Sequence, residues 1–136
     1  MKPDDRTLRT LLTQAKVIAV VGHSDRPDRT SYQIGQFLRR AGYIVYPVNP
    51  LVSQIDGEPC YAALAEVPAP IDIVNVFRRS EYLAEVVDAA IAVQAKTIWA
   101  QLGVVDEGAA QRAIEAGLQM IMDACIKVEY LRLGIN

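Results

Sequence analysis

Five short apolar runs recur along the chain, spaced about one strand–helix unit apart. They are Val17–Val21, Ile44–Val48, Ile71–Phe77, Thr97–Leu102 and Gln119–Met122. Runs of this length without polar alternation are typical of strands that are buried on both faces of a parallel sheet. Pro47 interrupts the second run, and because proline has no N–H to give to a ladder, we expect a distortion there.

Helical periodicity fills the intervals between these runs, with apolar residues at i, i+3, i+4 and i+7. The predicted helices are Asp5–Ala15, Ser31–Ala41, a short Tyr61–Glu66, Glu81–Val93, Glu107–Ala116 and a final turn or two over Ile126–Leu133. Thr30 and Gln33 match a capping box, and Ser80 and Asp106 are candidate N-caps. Gly42 and Gly117 are the expected C-terminal stops.

Strands that alternate with helices predict an α/β fold, a doubly wound and mainly parallel five-stranded sheet with helices on both faces. With 136 residues, of which 51% are apolar, we expect a single domain over residues 1–136 with its own core. Ligands of such sheets bind at the carboxyl ends of the strands, where the strand order reverses. The loops that follow the strands are therefore the candidate site.

The balance of charge and cysteines excludes several functional classes. A net charge of −2 gives no basic field, so we expect no nucleic-acid partner. No apolar run approaches the roughly 18 residues of a membrane span, and the first residues lack the apolar core of a signal peptide. Cys60 and Cys125 form neither a disulfide framework nor a metal-binding pair, so we expect a cytoplasmic protein with free thiols.

The loop after the first strand, Gly22–Ser31, has features of an anion site. It leads into a helix N-terminus, whose N–H groups and dipole favour phosphate, and it carries Arg26 and Arg29. The alternative is an ordinary solvated loop before a capped helix. The glycine pattern of NAD-binding folds is missing, as are the acid expected after the second strand and a Walker lysine.

The loop after the third strand begins with Phe77, Arg78, Arg79 and Ser80. Arginine suits phosphate because its planar fork binds two oxygens. Cations at a helix N-terminus oppose the macrodipole, which favours a binding role over a purely structural one. His23, the single histidine, could act as a base or phosphoryl acceptor, but nothing identifies a partner for it, and a loop histidine without chemistry is favoured.

Four segments, taken in order, carry a resemblance to a known family. They are IAVVGHSDRPDRTSYQIGQFLRRAGYIVYPVNP, IDIVNVFRRSEYL, IWAQLGV and MDACIKVEYLRL. The chain resembles small standalone CoA-binding proteins and is similar to the N-terminal CoA-binding domain of the succinyl-CoA synthetase alpha subunit. The resemblance implies a Rossmann-like fold that binds a nucleotide, coenzyme A, across the strand ends. The synthetase has a CoA-contacting lysine in its second loop, whereas this chain has no lysine between Lys16 and Lys96.

The resemblance transfers contacts to the strand ends, and the loop residues around them complete the candidate coenzyme A site. The candidates are Gly22, His23, Ser24, Arg26, Pro27, Thr30, Ser31, Asn49, Pro50, Val76, Phe77, Arg78, Arg79, Ala100, Gln101, Leu102 and Gly103. The synthetase also needs a phosphorylated histidine in a second domain, and His23 lies elsewhere, so we expect binding of CoA or an acyl-CoA without catalysis. A nicotinamide-dependent oxidoreductase or redox sensor, and an interaction domain that acts only in a larger complex, are the alternatives. We expect no catalytic residue and no metal ligand.

Overall fold

A computed structural model describes residues 2–135. Its helices are α1 (Asp5–Gln14), α2 (Thr30–Arg40), α3 (Leu83–Ala92), α4 (Glu107–Glu115) and α5 (Ile126–Arg132). Its strands are β1 (Val17–Val21), β2 (Ile44–Val48), β3 (Gln54–Ile55), β4 (Glu58–Pro59), β5 (Ile73–Val76), β6 (Thr97–Ala100) and β7 (Gln119–Ile121). Two 3-10 turns, Leu64–Glu66 and Ser80–Tyr82, complete the elements.

Five strands form one parallel sheet in the order β2-β1-β5-β6-β7. The chain leaves β1 toward β2 and then returns to the other side of β1 at β5, so the order reverses between β1 and β5. This confirms the predicted doubly wound, Rossmann-like sheet. It also identifies the β1–β5 junction as the place where a ligand crevice opens.

The sheet separates two apolar clusters. One cluster joins Ala19, Val21, Val74 and Val76 to α3 and α4, and the other joins Ile18, Val20 and Trp99 to α1, α2 and α5. Alternate residues of each strand therefore face opposite layers, and both layers are mainly apolar, with Asn75 and Thr97 as buried polar residues of the strands. This explains why the strands are continuous hydrophobic runs in the sequence.

Pro47 does not break β2, contrary to the expected distortion. β2 runs unbroken from Ile44 to Val48 at the edge of the sheet, with Pro47 in register with Val20 of β1. The Pro47 carbonyl oxygen accepts a hydrogen bond from the Tyr61 N–H (2.9 Å). The backbone nitrogen and carbonyl of Pro47 thus point away from β1, so the missing N–H costs no hydrogen bond between β1 and β2.

Two of the predicted helix starts are wrong. The N-cap of α2 is Arg29, not Thr30, and no described side chain caps it. Ser80 begins a 3-10 turn, and α3 follows only at Leu83. The other cap predictions are confirmed: Asp106 accepts from the Ala109 N–H (3.1 Å), and Gly42 and Gly117 follow their helices with positive φ.

The sequence also missed the small hairpin β3–β4 and overextended the helix at Tyr61–Glu66, where the structure has only the turn Leu64–Glu66. Asp56 and Gly57 form the hairpin turn, both with positive φ (51° and 83°). The Asp56 carboxylate accepts from Tyr32 Oη (2.6 Å) and Gln36 Nε2 (2.8 Å). The hairpin is thereby fixed to α2. Among the described residues, no helix is long and apolar enough to cross a membrane.

Candidate functional site

The carboxyl ends of β1 and β5 meet at Gly22 and Phe77. Gly22 has φ +87°, and a Cβ built on it would lie 2.9 Å from the Phe77 carbonyl oxygen. Its N–H donates to the Val48 carbonyl oxygen of β2 (2.8 Å). Only a residue without a side chain lets these three strand ends come this close. The floor of the crevice is therefore backbone.

The loop from Gly22 to α2 is stabilised by its own side chains. Ser31 Oγ accepts from the Ser24 N–H (2.9 Å), Ser24 Oγ accepts from the Arg26 N–H (3.0 Å), and Gln33 Nε2 donates to the Pro27 carbonyl oxygen (3.2 Å). These bonds explain why the predicted capping box does not form, since Gln33 reaches the loop instead of the helix end. The first turn of α2 contains no acid, so its positive dipole end is not neutralised from within the helix.

A cleft of about 500 Å³, here called the α2 cleft, lies over this helix start. It is lined by Gly22, Ser24, Arg26, Asp28, Arg29, Thr30, Ser31 and Phe77. The Arg26 guanidinium lies 3.6 Å from Asp28, and both side chains are largely exposed. An exposed pair of this kind is weak, so Arg26 remains available to an incoming anion.

A second cleft of about 680 Å³, here called the α3 cleft, opens on the other side of the junction. It shares Gly22 and Phe77 with the α2 cleft, so the two clefts adjoin at the β1–β5 junction. Its walls are mostly apolar: Val21, Val48, Pro50, Leu51, Ala62, Ala63, Leu64, Val86 and Ala89, together with Asn49, Arg78, Arg79, Tyr82 and Glu85. Such a slot suits a flat or flexible apolar group, with charge at one end.

Arg78 and Arg79 both line the α3 cleft. The Arg78 guanidinium stacks over the Tyr82 ring, 4.3 Å from its centroid, and lies 3.7 Å from Glu85. Arg79 is more exposed and lies 3.7 Å from Glu81. The turn Ser80–Tyr82 separates these arginines from the first residue of α3. They are therefore not located at the positive, N-terminal end of the α3 dipole.

His23 lies beneath the loop, not in the cleft. It is fully buried; its Nδ1–H donates to the Ser24 carbonyl oxygen (2.8 Å), and Nε2 accepts from Arg39 (3.4 Å). A Cβ on Gly35 of α2 would be 2.3 Å from Nε2. Burial lowers the pKa of His23 to about 4, so the ring is neutral at pH 7 and supports the loop.

Asn49 links the second loop to the first. Its Nδ2 donates to the His23 carbonyl oxygen (3.1 Å), and its Oδ1 accepts from the Leu51 N–H (3.0 Å). Pro50 and the strongly exposed Leu51 are thereby held at the wall of the α3 cleft. Asn49 holds this wall in place, and it lies after the second strand, where many dinucleotide-binding folds have an acid.

The structure separates several predicted residues from both clefts. Val76 and Ala100 are fully buried in the core, and Leu102 is 67% exposed. The Gly103 N–H donates to Asp123 Oδ1 (2.7 Å). Gln101 is buried, and its Oε1 meets no hydrogen-bond donor among residues 2–135.

Comparison with known proteins identifies the family of this chain. Residues 16–131 match the family described as CoA binding domain. The chain belongs to this family. Protein YneT of Bacillus subtilis (strain 168) is 45% identical over 128 residues, which cover 94% of this chain and 95% of YneT.

Solved structures share the fold. A hypothetical protein from Pyrococcus horikoshii OT3 is 35% identical with a TM-score of 0.93, covering 96% of this chain and 92% of that one. The apo form of a dinucleotide forming acetyl-coenzyme A synthetase 1 from Ca. Korarchaeum cryptofilum is 26% identical with a TM-score of 0.68. The match covers 77% of this chain but only 25% of the synthetase.

Sequence reasoning missed one wall of the α3 cleft in this CoA binding domain. Tyr82, Glu85 and Leu64 line it, and none follows a sheet strand directly. Tyr82 and Glu85 lie four and seven residues after Arg78. Had these residues been placed on a turn and helix over the junction, that spacing would have been a usable signal.

Proposed function

We propose that this protein binds coenzyme A, or an acyl-CoA, across the carboxyl ends of β1 and β5, and that residues 1–136 act as one CoA-binding domain. One observation carries the proposal: a cleft over an uncapped helix start and an apolar slot with two arginines adjoin at Gly22 and Phe77. A ligand with phosphates at one end and apolar parts at the other fits this arrangement. Membership of the CoA binding domain family supports the same ligand.

The phosphates are assigned to the two charged parts of the crevice. Backbone N–H groups at the start of α2, with Ser24 and Thr30, supply donors on one side. Arg26 adds a guanidinium there, and Arg78 adds one from the end of β5. These positions suit the pyrophosphate and the ribose 3′-phosphate of CoA.

The adenine is assigned to the apolar wall between Pro50 and Phe77. Val76 is buried in the same apolar cluster as Val48 and Leu64, which line the α3 cleft. Ala100, Leu102 and Gly103 are kept as candidates for the rest of the ligand. Gln101 lines neither cleft, and its buried Oε1 lacks a donor within residues 2–135; a pantetheine amide N–H would supply one only after the loop that follows β6 shifts.

We further propose that binding is not accompanied by CoA-ligase chemistry. A phosphoryl acceptor must reach its donor, and His23 is fully buried. Some matched relatives are named as ligases, such as acetate–CoA ligase [ADP-forming] I of Archaeoglobus fulgidus, 34% identical over 61 residues; the match spans 9% of that protein and 45% of this chain. Steady production of succinyl-CoA by the purified chain with nucleotide would contradict this part of the proposal.

The cytoplasm is the proposed location. Both cysteines, Cys60 and Cys125, are free thiols, as is usual in a reducing compartment. Small molecules are the proposed partners, with no nucleic acid and no membrane.

Thermal denaturation with CoA, acetyl-CoA and NAD tests the function. A ligand at 100 times its Kd stabilises the folded state by about 2.7 kcal/mol, which raises Tm by about 10 °C at this size. We expect the shift with CoA or acetyl-CoA and none with NAD. A shift with NAD alone would favour an oxidoreductase or redox sensor, and no shift with any of the three would favour an interaction domain of a larger complex.

A further inference from the structure

Among its described lining residues, the α3 cleft contains one carboxylate, that of Glu85, and this carboxylate lies beside the Arg78 guanidinium. Glu85 Oε1 lies 3.7 Å from Arg78 Nη1. This distance is beyond a direct hydrogen bond. The Glu85 side chain is 72% exposed, whereas Arg78 is 32% exposed. The pair is therefore loose on the glutamate side.

Arg78 does not depend on Glu85 for its position. Its guanidinium carbon lies over the Tyr82 ring, 4.3 Å from the centroid, a cation–π contact that does not involve the Glu85 carboxylate. If Glu85 moves into solvent, the stacking remains. Arg78 is thus a fixed cation with an exchangeable partner.

We propose that Glu85 competes with the ligand for Arg78. A phosphate group of the bound nucleotide displaces the Glu85 carboxylate from Arg78, and this competition lowers the affinity of the site. This inference rests on the proposed CoA binding. A phosphate monoester carries up to two charges and three acceptor oxygens, and it matches the arginine fork better than one loosely held carboxylate. Displacement costs little, because Glu85 already lies largely in water.

Asp88 supplies a matched control on the same helix. It lies three residues further along α3, is largely exposed, and pairs with Arg112 (2.7 Å) rather than with a cleft residue. Asp88→Asn and Glu85→Gln each remove one negative charge from α3. Only Glu85→Gln removes the competitor of Arg78.

Titration calorimetry with CoA and dephospho-CoA on four proteins besides the wild type tests the inference: Glu85→Gln, Asp88→Asn, Arg78→Ala and the double variant Arg78→Ala/Glu85→Gln. Exposed pairs contribute about 0.2–1 kcal/mol, so we expect Glu85→Gln to bind CoA about 1.4- to five-fold more tightly. Asp88→Asn is expected to match the wild type. In the Arg78→Ala background, Glu85→Gln is expected to give no gain, because the contested cation is gone. A gain with CoA but not with dephospho-CoA assigns Arg78 to the 3′-phosphate, and a gain with both assigns it to the pyrophosphate.

Each contrary outcome overturns a distinct claim. If the wild type binds CoA and Glu85→Gln binds it no better, Glu85 is not a competitor. If the gain persists without Arg78, or if Asp88→Asn gains as much, Glu85 acts as a general negative charge and the inference is wrong. If the wild type binds neither CoA nor dephospho-CoA, the proposed function fails, and the inference fails with it.

Discussion

The loop after β1 and the loop after β5 approach the same junction, but they are held in opposite ways. The first is fixed from below by buried groups: His23 fills the space under α2, and Ser31 Oγ binds the Ser24 N–H. The second presents Arg78 and Arg79, whose ion pairs are 3.7 Å long and lie at the surface. One loop is rigid through packing, and the other offers cations whose surface partners can be exchanged for a ligand.

The difference indicates a division of labour in anion binding. Backbone donors act only if they already point to the ligand, because a flexible backbone loses entropy when it becomes ordered. Side-chain cations can adjust, at the cost of weaker and more exchangeable contacts. Changes to the buried and backbone groups of the first loop should therefore alter stability, whereas changes to the exposed arginines of either loop should mainly alter affinity.

Gly35→Ala is expected to have the largest effect. The new Cβ would lie 2.3 Å from His23 Nε2 and 2.9 Å from its Cδ2, and a buried ring has no room to move. We expect a loss of about 3 kcal/mol in the free energy of unfolding, measured in urea. Gly108→Ala in α4 is the control, because its nearest atom is 3.5 Å away; it should be neutral or stabilising by up to about 1 kcal/mol. Equal effects of the two variants would show that His23 does not hold the first loop rigidly.

The pH dependence of stability should reveal the neutral His23. Its pKa is about 4 in the folded protein against 6.5 in the unfolded chain, so between these values the unfolded chain binds the extra proton. The His23 contribution is complete above pH 6.5 and is lost as the pH falls toward 4, by about 2–3 kcal/mol. Urea denaturation of the wild type and of His23→Gln from pH 7 to pH 4 measures it. Parallel curves for the two proteins would contradict a buried neutral imidazole.

Gly22→Ala isolates the close approach at the junction. Alanine at this position must adopt φ +87° and place its Cβ 2.9 Å from the Phe77 carbonyl oxygen. Gly103→Ala has nearly the same φ, +86°, but open space around the Cβ. We expect the free energy of unfolding, measured in urea, to fall by about 2 kcal/mol for Gly22→Ala and by about 1 kcal/mol for Gly103→Ala, since only the first adds a steric clash. If the two losses are equal, the contact between β1 and β5 is not tight.

Arg26→Ala and Arg78→Ala should have the smallest effect on the fold and a visible one on binding. Arg26 makes a surface ion pair, and Arg78 makes a surface ion pair and a contact with the Tyr82 ring. Without ligand, the Tm should therefore stay within about 1 °C of the wild type for Arg26→Ala and fall by no more than about 4 °C for Arg78→Ala. A charge-assisted contact is worth about 1.5–3 kcal/mol, so CoA binding should weaken about ten- to hundred-fold. Dephospho-CoA should lose less affinity than CoA on at least one of the two variants. If both variants bind CoA like the wild type, the phosphates are held elsewhere.

The strands were predictable because burial on both faces leaves an unbroken apolar signal, even in a strand as short as Gln119–Ile121. The helix starts were less so. A capping pattern shows only which hydrogen bonds are possible at a helix start. The Gln33 amide donates to the Pro27 carbonyl oxygen in the loop instead of capping α2. The Asp56–Gly57 turn carried a readable hairpin signal, but its two-residue strands are too short to show alternation.

The sequence predicts which loops form the candidate site but not which of their residues line it. Topology alone brings the loops at Gly22, Asn49 and Phe77 to one crevice. Which residues face it depends on packing that the sequence does not state: His23 lies under the loop, and Val76 and Ala100 lie in the core. Tyr82 and Glu85 enter because a 3-10 turn precedes α3.

The position of Pro47 has a consequence for how copies of this protein meet. An open sheet edge can recruit a strand from another chain and start aggregation. At the β2 edge, Pro47 offers no N–H, and Tyr61 occupies the outer side by donating to Pro47 and accepting from the Asn49 N–H (2.8 Å). The opposite edge, β7, is three residues long. Both borders of the sheet are thus poor templates for strand addition, which protects an apolar sheet from fibril-like growth at high concentration.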